Sequence, residues 1–193
     1  MGNRRIGRVR LHALEKLGKS LTAEEIGIGV GMQDALVRAT QKRDGLIVET
    51  EIVLDLGTSK AAIDSGGNNA AIGVAGAAAE VFKWTLATFG RLLEIETVCV
   101  ETPTTGADAI GLFRKATSVN GSAAHKGQGG VTAVHTGTTF AIGTVETDAV
   151  VTDIYTATPF FTLASEEAVD AVYDNGKLVI RVTGQADPAD SDI

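Results

Sequence analysis

Hydrophobic and polar residues alternate along most of the chain beyond residue 34, and this period of two predicts β-strands rather than helices. The first two predicted strands, residues 35–41 and 46–56, flank a segment that contains Asp44-Gly45. An Asp-Gly pair between two alternating segments is typical of a tight hairpin turn. The pattern therefore predicts a β-hairpin at this point.

A second hairpin is predicted further along, from residues 80–88 and 91–101. In the first of these strands Phe82, Trp84 and Leu86 alternate with smaller or polar residues. Side chains two residues apart lie on the same face of a strand, so these three are expected to face the core.

The same pattern continues to the C-terminus. Short strands are predicted at residues 109–117, 131–135, 138–145 and 148–156. A final hairpin is predicted from residues 168–173 and 177–183, because Asn175-Gly176 can supply the positive φ angles of a tight turn.

Eight or more short strands at roughly ten-residue spacing, without a long helical segment, indicate an all-β protein. We expect a β-sandwich, of jelly-roll or Greek-key type, with an extended or short-helical basic N-terminal arm. The predicted division is a basic arm and Gly-rich linker at 1–33, a β-sandwich domain at 34–184 and an acidic flexible tail at 185–193. Gly-, Ala- and Thr-rich loops are predicted at 57–79 and 118–130.

Charge is distributed unevenly along this chain. Residues 1–43 hold nine Lys or Arg against four Asp or Glu, and residues 44–193 hold eight against twenty, so the net charge of −7 combines about +5 and −12. A basic arm on an acidic body favours contact with a negatively charged partner; a solvated leader is the alternative. The arm residues expected to bind such a partner are Arg4, Arg5, Arg8, Val9, Arg10, Leu11, Leu14, Leu17 and Lys19.

Composition argues against several classes of protein. The sequence has no apolar segment approaching the eighteen or so residues of a membrane span and no signal-peptide pattern, so a protein made in a reducing cytoplasm is expected. The single Cys99 lies within an apolar strand pattern and is predicted to be a buried small side chain. The six Phe, two Tyr and one Trp are few, which disfavours an aromatic ligand-binding platform.

Two patterns could carry chemistry. Asp55-Leu56-Gly57-Thr58 follows an apolar strand and is similar to the phosphate-binding hairpin of sugar kinases and actin-like ATPases. That fold needs two large α/β lobes, and a strand followed by a turn explains the same residues. His12, His125 and His135 stand apart without a frame of further ligands, so neither a metal site nor a cofactor is expected.

Acidic residues cluster weakly. Glu146, Asp148 and Asp153 could form a loop calcium site, although a solvated acidic surface explains them equally. Nucleic acid is disfavoured as the partner of the arm, because the arm lacks interleaved aromatic residues and the acidic body would be repelled by a polyanion. An acidic protein surface is the other candidate.

Three segments resemble a group of small virion structural proteins of tailed phages, particularly marine ones. They are the opening that runs into Ala13-Leu14-Glu15-Lys16-Leu17-Gly18-Lys19-Ser20, the segment from Thr97 to Leu112, and the segment from Tyr173 to Gly184. The resemblance covers most of the chain loosely. It implies a capsid decoration or cement protein with a β-sandwich body and no catalytic residues.

The resemblance sets the functional expectation. We expect a non-enzymatic protein that decorates and stabilises a virion capsid after synthesis in the host cytoplasm. The expected partner is the major capsid protein, and a homo-oligomer, with a trimer as one possibility, follows by analogy with other cement proteins. The alternatives are a receptor- or carbohydrate-binding β-sandwich of a tail or fibre, for which exposed aromatics near Trp84 or Tyr155 would be needed, and a small ATPase or hydrolase using Asp55 or His125.

Overall fold

The computed structural model describes residues 18–58, 60–63, 70–105, 109–121, 131–149, 159–165 and 171–186. Within them are twelve strands, two short α-helices and one 3-10 helix. The strands are β1 (Lys19–Leu21), β2 (Leu36–Asp44), β3 (Ile47–Asp55), β4 (Ala62–Ile63), β5 (Glu80–Lys83), β6 (Arg91–Thr104), β7 (Ala109–Lys115), β8 (Val131–Thr139), β9 (Val145–Ala149), β10 (Phe160–Ser165), β11 (Ala171–Val172) and β12 (Asn175–Gln185), the helices are α1 (Ala23–Ile26) and α2 (Leu86–Phe89), and the 3-10 helix is Val30–Ala35.

Six strands form the larger sheet, in the order β1-β2-β3-β12-β6-β9, and all the pairings are antiparallel. Its strands follow the predicted alternation. In β3 the side chains of Val48, Thr50, Ile52 and Leu54 are buried, and the residues between them are partly or fully exposed. One face of this sheet therefore packs on the core, and the other face carries the polar residues.

A second, four-stranded antiparallel sheet has the order β5-β10-β7-β8. It contributes Phe82 and Phe161, whose rings stack with centroids 4.3 Å apart, and Phe82 also lies 5.1 Å from the Phe89 ring. These rings belong to one buried cluster together with Ile52 and Ile180 of the larger sheet. The prediction of an all-β, sandwich-like fold is confirmed; the jelly-roll or Greek-key type stays a prediction.

The first predicted hairpin is confirmed, with its turn displaced by one residue. Asp44 pairs directly with Ile47, so the two turn residues are Gly45 and Leu46. Gly45 has a φ of 59°, and this is the first central position, where a type II′ turn requires glycine.

The second predicted hairpin, across Phe89-Gly90, is wrong, because β5 and β6 belong to different sheets. Between them the Thr85 side chain caps α2 by accepting a hydrogen bond from the Thr88 N–H, and Gly90 ends the helix. Leu86 is consequently 42% exposed on this helix, whereas Phe82 and Trp84 are buried as predicted.

The predicted C-terminal hairpin is also wrong. β11 pairs with β4, and β12 already begins at Asn175, between β3 and β6. Gly176, with a φ of 138°, lies at a shift in the β12–β6 register, and its carbonyl accepts a hydrogen bond from the Leu56 N–H. The positive φ that suggested a turn instead serves a β-bulge.

Residues 18–33, predicted as part of a linker, belong to the body. Thr22 and Glu25 form a capping box at the start of α1, and Ile26, Ile28 and Met32 lie in the main hydrophobic cluster. The high glycine content suggested a loop, but these apolar side chains make the segment part of the core.

The remaining strand predictions have mixed outcomes. The strand predicted at 109–117 is confirmed as β7, which ends at Lys115, and residues 131–135 fall in β8, which continues to Thr139. The single strand predicted at 138–145 is wrong, because residues 140–144 form a loop between β8 and β9. β9 begins only at Val145, and residues 150–156 lie outside the described residues, as do 187–193 and the helix predicted in the arm.

A polar pair links the two sheets. His135 of β8 and Thr97 of β6 are both buried, and His135 Nε2 lies 2.9 Å from Thr97 Oγ1. Thr162 of β10 is equally buried, but its hydroxyl has no hydrogen-bond partner within the described part of the chain. The two threonines therefore differ in whether their hydroxyl groups are satisfied.

Thr97→Val should lower the free energy of unfolding by about 1–3 kcal/mol, because it removes a buried hydrogen-bond partner of His135 without changing side-chain volume greatly. Thr162→Val, the matched control, should leave stability unchanged or raise it, since its hydroxyl is buried at a cost. Urea unfolding of the two variants and the parent measures both values. Equal destabilisation by the two substitutions would contradict the assigned role of the Thr97 hydroxyl.

Candidate functional surface

Among the nine residues predicted to bind a partner, Lys19 is the one that the structure describes. It lies in β1, at the edge of the larger sheet, and its Nζ is 2.5 Å from Glu25 Oε1. The other eight, Arg4, Arg5, Arg8, Val9, Arg10, Leu11, Leu14 and Leu17, lie outside the described residues. The Lys19 charge is matched within the chain.

Glu25 is held firmly in its ionised form. Hydrogen bonds from the Lys19 ammonium, the Thr22 N–H and the Thr22 hydroxyl lower the pKa of Glu25 to about 2. The pair is exposed and so contributes little to stability. It joins β1 to α1.

The described parts of the two predicted contact loops pack on each other. Ala75 and Ala78 form isolated bridges with Gly121 and Asn120, and the Ala79 N–H donates to the Val119 carbonyl at 2.8 Å. Small side chains allow this close backbone approach. Residues 70–79 and 119–121 thus serve internal packing; residues 64–69 and 122–130 lie outside the described residues.

The Asp55 turn has the geometry of a strand followed by a turn. One carboxylate oxygen accepts from the Gly57 N–H at 3.1 Å, and the other lies 2.7 Å from Lys60 Nζ. Partial burial opposes ionisation of Asp55, but the hydrogen bonds from Lys60 and Gly57 outweigh it and lower its pKa. Both oxygens are engaged, which leaves the ATPase interpretation without support at this position.

The other residues weighed for chemistry are occupied by the fold. The Trp84 ring is buried and its Nε1–H donates to the Gly90 carbonyl at 3.0 Å, so Trp84 offers no exposed aromatic platform. Cys99 is buried, as predicted, and burial raises the pKa of its thiol. His12, His125, Asp153 and Tyr155 lie outside the described residues.

No group of three or more metal-ligating side chains occurs in the part of the chain that the structure describes. Glu146 and Asp148, considered for a calcium loop, lie in strand β9.

The outer face of the larger sheet is the most organised surface of the described protein. Glu51 of β3 binds two arginines, Arg38 of β2 with an N–O distance of 3.0 Å and Arg181 of β12 at 3.5 Å. Arg181 in turn lies 3.2 Å from Glu96 of β6. These four residues form a charged row across four strands.

A second charged row crosses the same face about four residues further along the strands. It contains the Lys60–Asp55 pair and the Lys177–Glu101 pair, each with an N–O distance of 2.7 Å. The hydrogen bond from Lys177 to Glu101 raises the pKa of Lys177. The Lys177 ammonium therefore keeps its charge well above neutral pH.

Valines lie between these two charged rows. Val53, Val179 and Val98 are direct neighbours in register on β3, β12 and β6, and Val145 follows on β9 with 51% of its surface exposed. On β2 the residue in register with Val53 is Arg38, and Val37 beside it lies in a bulge and is 56% exposed. We call Val37, Val53, Val179, Val98 and Val145 the valine row.

The alternation pattern alone does not reveal this surface. It shows which residues of each strand share a face, but the strands that carry the two charged rows come from three distant parts of the chain. Only the insertion of β12 between β3 and β6 brings Val179 and Arg181 beside their partners.

No family model matches this chain, and no curated protein or solved structure matches it either. Among the described helices, none is long and apolar enough to cross a membrane.

The Asp55 turn predicts a specific pH dependence. Because the pKa of Asp55 is lower in the folded chain than in the unfolded chain, its contribution to stability is present above the unfolded pKa and is lost as the pH falls through the folded pKa. In Asp55→Asn, the free energy of unfolding should therefore fall less steeply than in the parent between about pH 5 and pH 2.

Asp34→Asn is the control, since Asp34 is an exposed carboxylate of the 3-10 helix; its acid limb should follow that of the parent. Denaturant unfolding across this pH range gives the slopes. An unchanged slope in Asp55→Asn would show that Asp55 does not stabilise the turn as described.

Proposed function

We propose that this chain is a non-enzymatic structural protein of a virion, which binds the capsid through its basic N-terminal arm and stabilises it. The observation that carries the proposal is the place of attachment of the arm. Residues 1–17 lead directly into β1, the outermost strand of the larger sheet. An arm attached at a sheet edge can extend onto a neighbouring molecule without disturbing the core.

The charge of this edge also supports binding of the capsid on the β1 side of the protein. Lys42 and Arg43 lie exposed on β2, the strand next to β1, and the arm adds further arginines. The opposite edge, formed by β6 and β9, carries Glu94, Glu96 and Glu146 among other acids. An acidic surface of a capsid protein would be attracted to the basic edge and repelled by the other.

Apolar anchors are needed beside the arginines. At the ionic strength of seawater the Debye length is only about 3–5 Å, so exposed ion pairs are strongly screened. Leu11, Leu14 and Leu17 can supply roughly 1.5–3 kcal/mol each if fully buried against the partner. Repetition of one modest contact over many copies then raises the avidity for a particle.

The rival functions draw no support from the described residues. Trp84 is buried, although a carbohydrate-binding face was expected to expose an aromatic ring there. Asp55 is engaged by Lys60 and Gly57. We therefore propose neither a receptor-binding nor a hydrolytic function.

Co-sedimentation with capsids of the encoding phage tests the proposal. A chain lacking residues 1–17 should bind at least about tenfold more weakly than the full chain, and full-length Leu11→Ser/Leu14→Ser should lose binding even at high salt. Arg4→Gln/Arg5→Gln/Arg8→Gln should lose it mainly at low salt, where the parent gains most from charge.

Val30→Ser is the matched control, since Val30 is an exposed apolar residue of the body, and its binding should equal that of the parent. Thermal unfolding of each variant separates loss of binding from loss of fold. Unchanged particle binding after removal of residues 1–17 would refute an arm-mediated function.

A further inference from the structure

The outer face of the larger sheet has a symmetric arrangement about its centre, which lies between β3 and β12. Three strands lie on each side, β1-β2-β3 and β12-β6-β9. In the first charged row the sign reverses across this centre, because Glu51 of β3 is in register with Arg181 of β12. In the second row Asp55 similarly opposes Lys177.

The reversal continues further out along the strands. Lys42 of β2 and Glu94 of β6 lie at the same level along the strands. The register runs from Lys42 through Glu49 of β3 and Thr183 of β12 to Glu94. Three strand spacings, roughly 14 Å, separate Lys42 from Glu94. They are too far apart to attract each other appreciably.

The outermost level shows the same relation. Asp44 of β2 and Arg91 of β6 are joined by the register through Ile47 and Gln185. Again the charges are opposite and three strands apart. Between Asp44 and Arg91 lie Ile47 and Gln185, which are uncharged, so simple alternation of charge along the row does not explain the opposite signs at this level. At the level of Lys42, the charged residue Glu49 lies between.

Apolar residues likewise lie on both sides of this centre. At the centre of the valine row, Val53 of β3 is in register with Val179 of β12, which is 9% exposed. Further valines lie on both sides of this pair, Val37 in the bulge of β2 and Val98 on β6, and the β2 residue in register with Val53 is Arg38. A surface whose charges reverse and whose apolar residues repeat about one axis is complementary to itself.

We propose that a second copy of this chain docks on this face, related by a twofold axis that runs parallel to the strands between β3 and β12. The axis places β2 over β6 of the other copy and β3 over β12. Lys42 then meets Glu94 of the second copy, and the central valines pack across the interface. Such an isologous contact forms a closed dimer, and aligned sheets commonly pack face to face in this manner.

The charges also select this axis over the perpendicular one. A twofold axis running across the strands along the valine row would place Glu51 over Asp55 and Arg181 over Lys177 of the second copy. Like charges would then face each other at both positions, which is unfavourable. The strand-parallel axis brings opposite charges together at every level described above.

The area of this surface sets the expected affinity of the dimer. Four strands about 4.8 Å apart and about nine residues long cover a flat footprint on the order of 500 Å². This is smaller than the roughly 800 Å² per partner of a standard stable interface. We therefore expect a reversible dimer, with dissociation in roughly the micromolar range.

Sedimentation equilibrium of the full chain from about 1 to 300 µM should show a monomer–dimer equilibrium. Lys42→Glu and Glu94→Lys, each a single exposed substitution, should weaken the dimer by about tenfold or more, because each places two like-charged contacts in the interface. An equimolar mixture of the two variants should dimerise again. In the mixed dimer, position 42 of each copy faces position 94 of the other, and both contacts then join a carboxylate to an ammonium.

The double variant Lys42→Glu/Glu94→Lys provides a second rescue, and it should regain the affinity of the parent. Its restored pairs cannot form within one chain, owing to their separation, so recovery reports the intermolecular contact. Thermal unfolding confirms that each variant remains folded. Weakening by both single variants without recovery in the mixture and in the double variant would overturn the proposed axis.

The apolar contact has its own matched pair. Val37→Asp should convert the protein to a monomer over the same concentrations, whereas Val30→Asp should not, because Val30 is exposed on the 3-10 helix, where the Gly31 N–H donates to the Ala78 carbonyl just before β5 of the second sheet. A parent protein that is monomeric at 300 µM (roughly the upper limit of the expected range), or one that forms trimers, would overturn the proposal. Capsid binding is not needed for any of these outcomes, so they stand apart from the proposed function.

Discussion

The pairing of β12 with two partners at once is the constraint on which the rest of this structure depends. β12 forms a ladder with β3 on one side and with β6 on the other, over most of its eleven residues. Its Leu178, Ile180 and Val182 enter the core. Without it the larger sheet would separate into β1-β2-β3 and β6-β9, and neither half could cover the second sheet.

The same insertion creates the surface to which we assign an interaction. Arg181 gains acidic neighbours on both sides only because β12 lies between Glu51 and Glu96. The outward side chains of β2 and β6 are then held at fixed levels three strands apart. Rigid strands fix such spacings closely, so a charge pattern on this sheet can be complementary to a second copy even though each exposed ion pair contributes little stability.

The two proposed interactions meet at β2, where Lys42 belongs both to the basic edge and to the self-complementary face. The arm leaves from the β1 edge, and the self-complementary face lies across the middle of the same sheet. A decoration protein that dimerises could present two arms to a particle, which would raise its avidity. Residues 70–79 and 119–121 contact each other within the chain.

Structural features that depend on neighbouring residues were predictable from the sequence, and features that depend on distant residues were not. Alternation predicted the strands and the Asp44-Gly45 hairpin, because both depend on neighbouring residues. Asn175-Gly176 misled the prediction, since a positive φ serves a bulge as well as a turn and only the distant β3 and β6 decide between them. The glycines of residues 18–33 likewise concealed Ile26 and Met32, whose burial depends on the whole core. The outer face required the strand order and could not be derived from one sequence.

Native-state hydrogen exchange tests the central place of β12 most directly. The account predicts that amides of β12 and its neighbours β3 and β6 exchange slowest and with similar free energies of opening, close to that of global unfolding. Amides of the edge strands β1 and β9 should exchange faster. Exchange of β12 at the rate of the edge strands, with β3 still protected, would contradict the account.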